Sequence, residues 1–384
     1  MSRDSQPTIL CFSHLRWNFV YQRPQHLLSR AAAHAKVFFM EEPIMGGVQA
    51  PQLRFETQSS GVQVITPLLP QGIDASEAVA LQRAMLDEWL DQEIPDFLIA
   101  WYYTPMALLF SGHLRPDITI YDCMDQLSAF QGAPVGLTDQ EQQLLRRADV
   151  VFTGGRSLYE AKRGQHKNLH LFPSSVDYDH FSASRAPQPE PIDQQSIPHP
   201  RIGFFGVLDE RLDRKLLREV AECQPSWHFV LVGPVVKIRE DELPQASNIH
   251  YLGAKQYSEL PAYIAHWEVA MLPFAQNEST RYISPTKTPE YLAAGKPVVS
   301  TPVRDVEDPY GKLGLARIAA NTNEFCEAIA KSLAPPTSDW LPSVDDFLRR
   351  MSWDKTFRDM WNLVTRCKVS NTSDCEEEEV ITHV

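Results

Sequence analysis

Between residues 277 and 300 a polar loop, a short helix and a strand follow one another, and the first two carry Ser284, Thr286, Lys287, Thr288 and Glu290. Ser284 before Pro285 reads as a helix N-cap and first helical residue, and Gly295 as the residue that ends the helix. A helix opening at the carboxyl end of a strand points free N–H groups and partial positive charge into a crevice. Lys287 adds a full charge there, and Glu290, one turn on, could hold a pair of vicinal hydroxyls. Phosphate at one end and ribose at the other outline a nucleotide. The same residues would equally make an ordinary capped surface loop, and this stretch alone does not decide between the two.

Other candidates lie where strands end. Gly206 closes an apolar run and would let a ligand approach the backbone, while Arg211 just beyond could face a phosphate or pair with a local acid. The glycine spacing around Gly206 fits neither a P-loop nor a dinucleotide fingerprint. Asp122 and Asp125 end another run; either could take a proton from an acceptor hydroxyl, hold a sugar hydroxyl, or simply form the turn. Two acids without a third ligand make a poor metal site, so no metal is expected. His14, Arg16 and Arg23 occupy the loop after the first strand and are candidates for the acceptor side.

The elements that must position these groups alternate. Strand-like runs at 8–13, 36–40, 62–67, 96–101, 116–122, 149–155 and 168–172 are separated by helical stretches, including 24–33, 77–93 and 138–148. Ser157 and Glu160 read as a capping box for one more. Such alternation predicts an α/β fold with a largely parallel sheet covered on both faces, and ligands bind at the carboxyl edge of such sheets. Residues 185–200 hold five prolines and read as a stiff surface linker. The pattern then resumes, with strands at 201–206, 227–233, 248–253, 269–274 and 297–300, and helices at 209–222, 257–267, 323–333 and 352–364. The expected organisation is a domain over 1–184, the linker 185–200, a second domain over 201–351, a helix over 352–367 and an acidic, solvated and disordered tail over 368–384.

Bulk properties narrow the function. At 384 residues the chain suits two domains. A net charge of −13 argues against nucleic acid as a partner. No apolar run reaches the ~20 residues of a membrane span, and the first residues do not read as a signal peptide. The six cysteines lack metal or redox spacing, which fits a reducing, cytoplasmic setting.

The runs 248–253, 257–263 and 269–274, followed by Pro289-Glu-Tyr-Leu-Ala-Ala-Gly-Lys-Pro-Val-Val299, resemble the donor-binding half of GT-B fold glycosyltransferases. Within that fold they look like the family-1 and family-4 bacterial enzymes that build surface polysaccharides, some of whose relatives accompany a UDP-galactopyranose mutase. Residues 12–17, 22–26, 121–125 and 148–155 agree in the first half. The resemblance implies two Rossmann-like domains around a cleft, with the C-terminal helix crossing back to the first domain. It places Glu290 on the donor ribose, Lys287 and Arg211 on the diphosphate, and backbone amides of 284–288 around that diphosphate. The reaction it implies takes a sugar from a nucleotide-sugar, a UDP-sugar being favoured, to a saccharide or lipid-linked acceptor. No cofactor is implied, and peripheral contact with the cytoplasmic membrane face is compatible with it. Tyr282 departs from the pattern, since many relatives carry there a glutamate that touches the transferred sugar; donor-sugar contacts and stereochemistry stay open. A nucleotide-sugar epimerase and a non-catalytic two-lobed binding protein are the rival readings.

Overall fold

The computed structural model describes residues 6–380, with side chains described for residues 6–367. The first domain contains β1 (Thr8–Phe12), β2 (Lys36–Met40), β3 (Ile44–Met45), β4 (Gln52–Thr57), β5 (Gln63–Leu69), β6 (Leu98–Tyr102), β7 (Ile118–Cys123), β8 (Val150–Thr153) and β9 (Leu169–Leu171). They form one sheet in the order β3-β5-β2-β1-β6-β7-β8-β9, parallel except for β4, which pairs antiparallel with β5 at the edge. β1 is buried at every position, as expected of a strand covered on both faces. The second domain contains β10 (Arg201–Phe205), β11 (His228–Val232), β12 (Ile249–Tyr251), β13 (Val269–Leu272), β14 (Val298–Ser300) and β15 (Ala316–Ile318). Their order, β12-β11-β10-β13-β14-β15, is parallel throughout.

Both sheets reverse their strand order beside the first strand, between β1 and β6 and between β10 and β13. Crevices outside the carboxyl ends of the strands open at such points. Loops from the two domains meet there.

Two expectations need correction, and one helix was not read in the sequence. The stretch 185–200 is packed rather than free: Gln194 is fully buried, its side chain bonded to Tyr263 O and Trp267 Nε1, and Tyr263 Oη donates to Asp193. Its polar side chains find partners on the second domain, which outweighs the proline content. A helix over Trp340–Leu348, unread in the sequence, follows the linker's partner surface and supplies Asp345 to Arg185 at 2.8 Å. The last helix, Trp353–Val380, runs past residue 367, where a disordered tail was expected; glutamate is a good helix former, so an acidic run can extend a helix. Residues 381–384 and the side chains beyond 367 lie outside the description.

That last helix lies on the first domain. Trp353, Phe357, Met360 and Val364 share a buried cluster with Ile9, Leu27 and Val37, and the Trp353 ring stacks on His26 at 4.5 Å. No helix among the described residues is long and apolar enough to cross a membrane.

Candidate active site in the interdomain cleft

Helix Lys287–Ala293 is fastened to the end of β10 by a single side chain. Tyr291 Oη accepts a hydrogen bond from Phe205 N at 2.8 Å and donates to Phe205 O. Arg185 closes the other end of the helix by donating to Ala293 O and Leu292 O. Lys287 and Glu290 are thereby held beside Gly206: a Cβ on Gly206 would come within 3.6 Å of Lys287 Cε. Gly206 has φ +150, a region side chains avoid, and its carbonyl occupies the space where a Cβ on Gly233 would project.

Lys287 Nζ donates to Glu290 Oε2 at 3.1 Å and to Thr286 Oγ1 at 3.0 Å, and it sits 4.7 Å over the Phe205 ring. Burial pushes the Glu290 carboxyl up, and Lys287 partly offsets that. Thr288 is fully buried and its hydroxyl has no partner among the described residues. Of these groups Phe205, Gly206 and Lys287 border a cleft of about 630 Å³, lined also by Trp17, Tyr21 and Gln58 from the first domain and by Tyr257 from the second; Glu290 and Thr288 lie behind Lys287, buried. That volume suits a small-molecule ligand.

The expected cap is placed differently. The helix starts at Lys287, with Thr286 at the cap position and no side-chain cap bond. Ser284 is turned away toward the first domain, where a Cβ on Gly155 would lie 2.6 Å from Ser284 Cβ. Interdomain packing overrides the local capping signal.

The loops after β10 and β13 are tied together. Asp213 N donates to Pro273 O, Ala275 N to Arg211 O, and Asn277 Nδ2 to Glu210 O. Arg211 is bound by its neighbour: Nε and Nη2 reach both carboxylate oxygens of Asp209 at 2.6–3.1 Å. It also lies 5.5 Å over the Phe130 ring of the first domain.

Asp125, on the first domain, feels the charges of Arg211, Asp209 and Lys237. Burial raises its carboxyl to about 6; Arg211 and Lys237 pull it down, while Asp209 pushes it up. His14, also on the first domain, feels Lys237 as well. Burial, with the Lys237 charge, lowers its imidazole to about 4, and its buried Nδ1 has no partner.

Three sequence candidates do not belong to the cleft. Arg23 and Asp122 are 1% and 0% exposed and form an ion pair at 2.9 Å. They neutralise each other inside the first domain, because a buried charge must be paired. Arg16 is engaged by Glu41 at 2.9 Å and by the carbonyls of Glu42 and Pro43. Tyr282 packs against the first domain's apolar core, with Arg281 5.3 Å over its ring.

Sequence reading missed Lys237 and Phe130. Lys237 adopts a left-handed φ of +65, rare for a lysine, and lies 4.7 Å over Phe130 and 3.7 Å from Glu210 Oε1. Its place after β11, at a carboxyl edge, was the available clue. Phe130 lies in a loop without periodicity and offered none.

Residues 199–334 match the family model described as glycosyl transferases group 1. The Bacillus subtilis protein TuaH, provisionally described as a teichuronic acid biosynthesis glycosyltransferase, is 29% identical over 218 residues, covering 52% of this chain and 54% of TuaH. The chain thus spans about half the length of the curated relative it matches. A sucrose-phosphate synthase from Thermosynechococcus elongatus superposes with a TM-score of 0.72 at 16% identity, covering 95% of this chain and all of that one. Anabaena HepE, in complex with UDP and glucose, gives 0.63 at 14% identity, covering 94% and 99%. An Escherichia coli structure bound with UDP-2-fluoro glucose gives 0.67 at 12% identity, covering 94% and 99%. At these identities the likeness shows the fold, which is GT-B.

Proposed function

We propose that this chain, whose residues 199–334 match the family model described as glycosyl transferases group 1 and whose two domains make a GT-B fold, moves a sugar from a nucleotide-sugar to an acceptor hydroxyl. The observation that carries the reading is Lys287, which borders the cleft beside Gly206 at the switch point of the second sheet and is paired with the buried Glu290. A diphosphate entering there would draw Lys287 away from Glu290 and meet the unpartnered Thr288 hydroxyl. The released carboxylate is then free to accept bonds from two ribose hydroxyls. As the bond to the sugar breaks, negative charge grows on the departing diphosphate, and Lys287 stabilises it. Asp125, near 6, takes the proton from the acceptor hydroxyl at neutral pH.

The UDP present in two of the structural neighbours favours a UDP-sugar donor, and the similarity to TuaH favours a saccharide acceptor, free or lipid-linked, in cell-surface polysaccharide synthesis. The free thiols at Cys11, Cys123, Cys223, Cys326 and Cys367 suit a cytoplasmic setting, with peripheral contact to the membrane if the acceptor is lipid-linked. The epimerase and binding-protein readings gain nothing from the relatives. The test is a thermal-shift screen of UDP-, GDP- and dTDP-sugars followed by turnover assays. Stabilisation by one nucleotide class with transfer to an added saccharide supports the reading; no shift with any of them contradicts it.

A further inference from the structure

Helix Arg156–Lys162 of the first domain has no cap of its own. Its N-cap residue is Gly155, no side chain caps it, and its first turn holds no acid. The exposed backbone donors are satisfied from the other domain. Asp305, on the segment after β14, accepts from Arg156 N at 2.8 Å, from Ser157 N at 3.1 Å and from Ser157 Oγ. It is 6% exposed, so these bonds are formed away from bulk water. Beside them, Arg304 pairs with Glu160 on the surface.

The same contact reaches the donor loop. Gly155 has an extended φ of −166, which any residue adopts, yet no side chain fits there. A Cβ would collide with the Asp305 carboxylate and lie 2.6 Å from Ser284 Cβ. Ser284 is three residues ahead of Lys287, with Pro285 stiffening the connection. One short-range contact therefore sets both the docking of the domains and the start of the segment that presents Lys287 and Thr288.

We infer that Asp305 is a positioning residue for the donor site: by capping a first-domain helix from the second domain, it seats Ser284 on Gly155 and holds the 284–290 segment in its binding geometry. This rests on the proposed function for what the segment binds, but not for how it is held. Asp305 touches no reacting group; it acts through Gly155 and Ser284. Small displacements of a binding segment carry large functional costs.

The experiment is amide hydrogen exchange, read by peptide, on the full chain and on Asp305→Ala, Gly155→Ala, Ser157→Ala and Arg304→Ala, alongside UDP titration. Asp305→Ala is expected to speed exchange about tenfold in both 156–160 and 284–290, the scale of a lost cap. Gly155→Ala, which leaves the aspartate in place, is expected to speed 284–290, and both variants are expected to weaken UDP by about tenfold. Ser157→Ala, which keeps the amide bonds, gives the same pattern in weaker form and serves if Asp305→Ala does not fold. Arg304→Ala is expected to change neither reading. Faster exchange confined to 156–160 in Asp305→Ala or Ser157→Ala, with 284–290 unchanged, would overturn the inference. The exchange arm needs no ligand, so a wild-type chain that fails to bind UDP counts against the proposed donor alone.

Discussion

Arg23 Nη2 and Asp122 Oδ1 stand 2.9 Å apart in the interior of the first domain, 99 positions apart in sequence. Arg23 also donates to Phe172 O at 2.8 Å, so one guanidinium joins β7, the chain after β9 and the first helix. Both residues carry charges that a cleft could use, yet each is consumed by the other. Removing one partner leaves a buried charge unpaired, which costs about 3–5 kcal/mol. Arg23→Ala and Asp122→Ala are therefore each expected to lose stability on that scale in urea denaturation. The double variant should lose less than the sum. Additive losses would show that the two are not coupled.

Asp125 provides a pH signature. Its carboxyl is raised to about 6, above the ordinary 3.8, so the folded state holds the proton more tightly than the unfolded chain. The stability it contributes is full below about pH 4 and disappears as pH rises through about 6. His14, lowered to about 4, works in the opposite direction between about 4 and 6.5, so the comparison must be made between wild type and Asp125→Asn. The variant is expected to gain stability relative to wild type as pH climbs from 4 to 7. In kcat/KM the wild type should show a rising limb near 6 that the variant lacks. An unchanged limb would remove Asp125 from proton transfer.

Thr288 separates binding from folding. Its hydroxyl is buried without a partner, so replacing it with an apolar group of similar shape removes an unsatisfied group. Thr288→Val is expected to leave Tm unchanged or raise it, while weakening nucleoside diphosphate binding by about tenfold, the worth of roughly one hydrogen bond to a charged group. Equal affinity in the two proteins would place the hydroxyl outside the ligand contacts.

The alternation of apolar runs made the two α/β domains readable, because buried parallel strands announce themselves as short continuous stretches such as 9–12 and 269–272. The placement of Lys287 and Glu290 together on one short helix after a strand and a loop was readable for a related reason. Long-range pairing was not. Nothing near Arg23 in sequence points to Asp122, and nothing near Ser157 points to Asp305, which replaces the capping box expected there. The bond between Arg211 and Asp209 was open as an alternative and is the one formed in the structure. Lys237 and Phe130 meet only when the two domains come together.

The central claim is that Lys287 and Glu290 form the nucleotide end of the cleft, and calorimetric titration of UDP into wild type, Lys287→Ala and Glu290→Ala tests it most directly. The account predicts binding to wild type and a loss of about 100-fold in affinity for Lys287→Ala, in line with removing a charge-stabilising group. It predicts a smaller loss for Glu290→Ala, with circular dichroism unchanged in both. UDP binding of wild-type strength in both variants would contradict it.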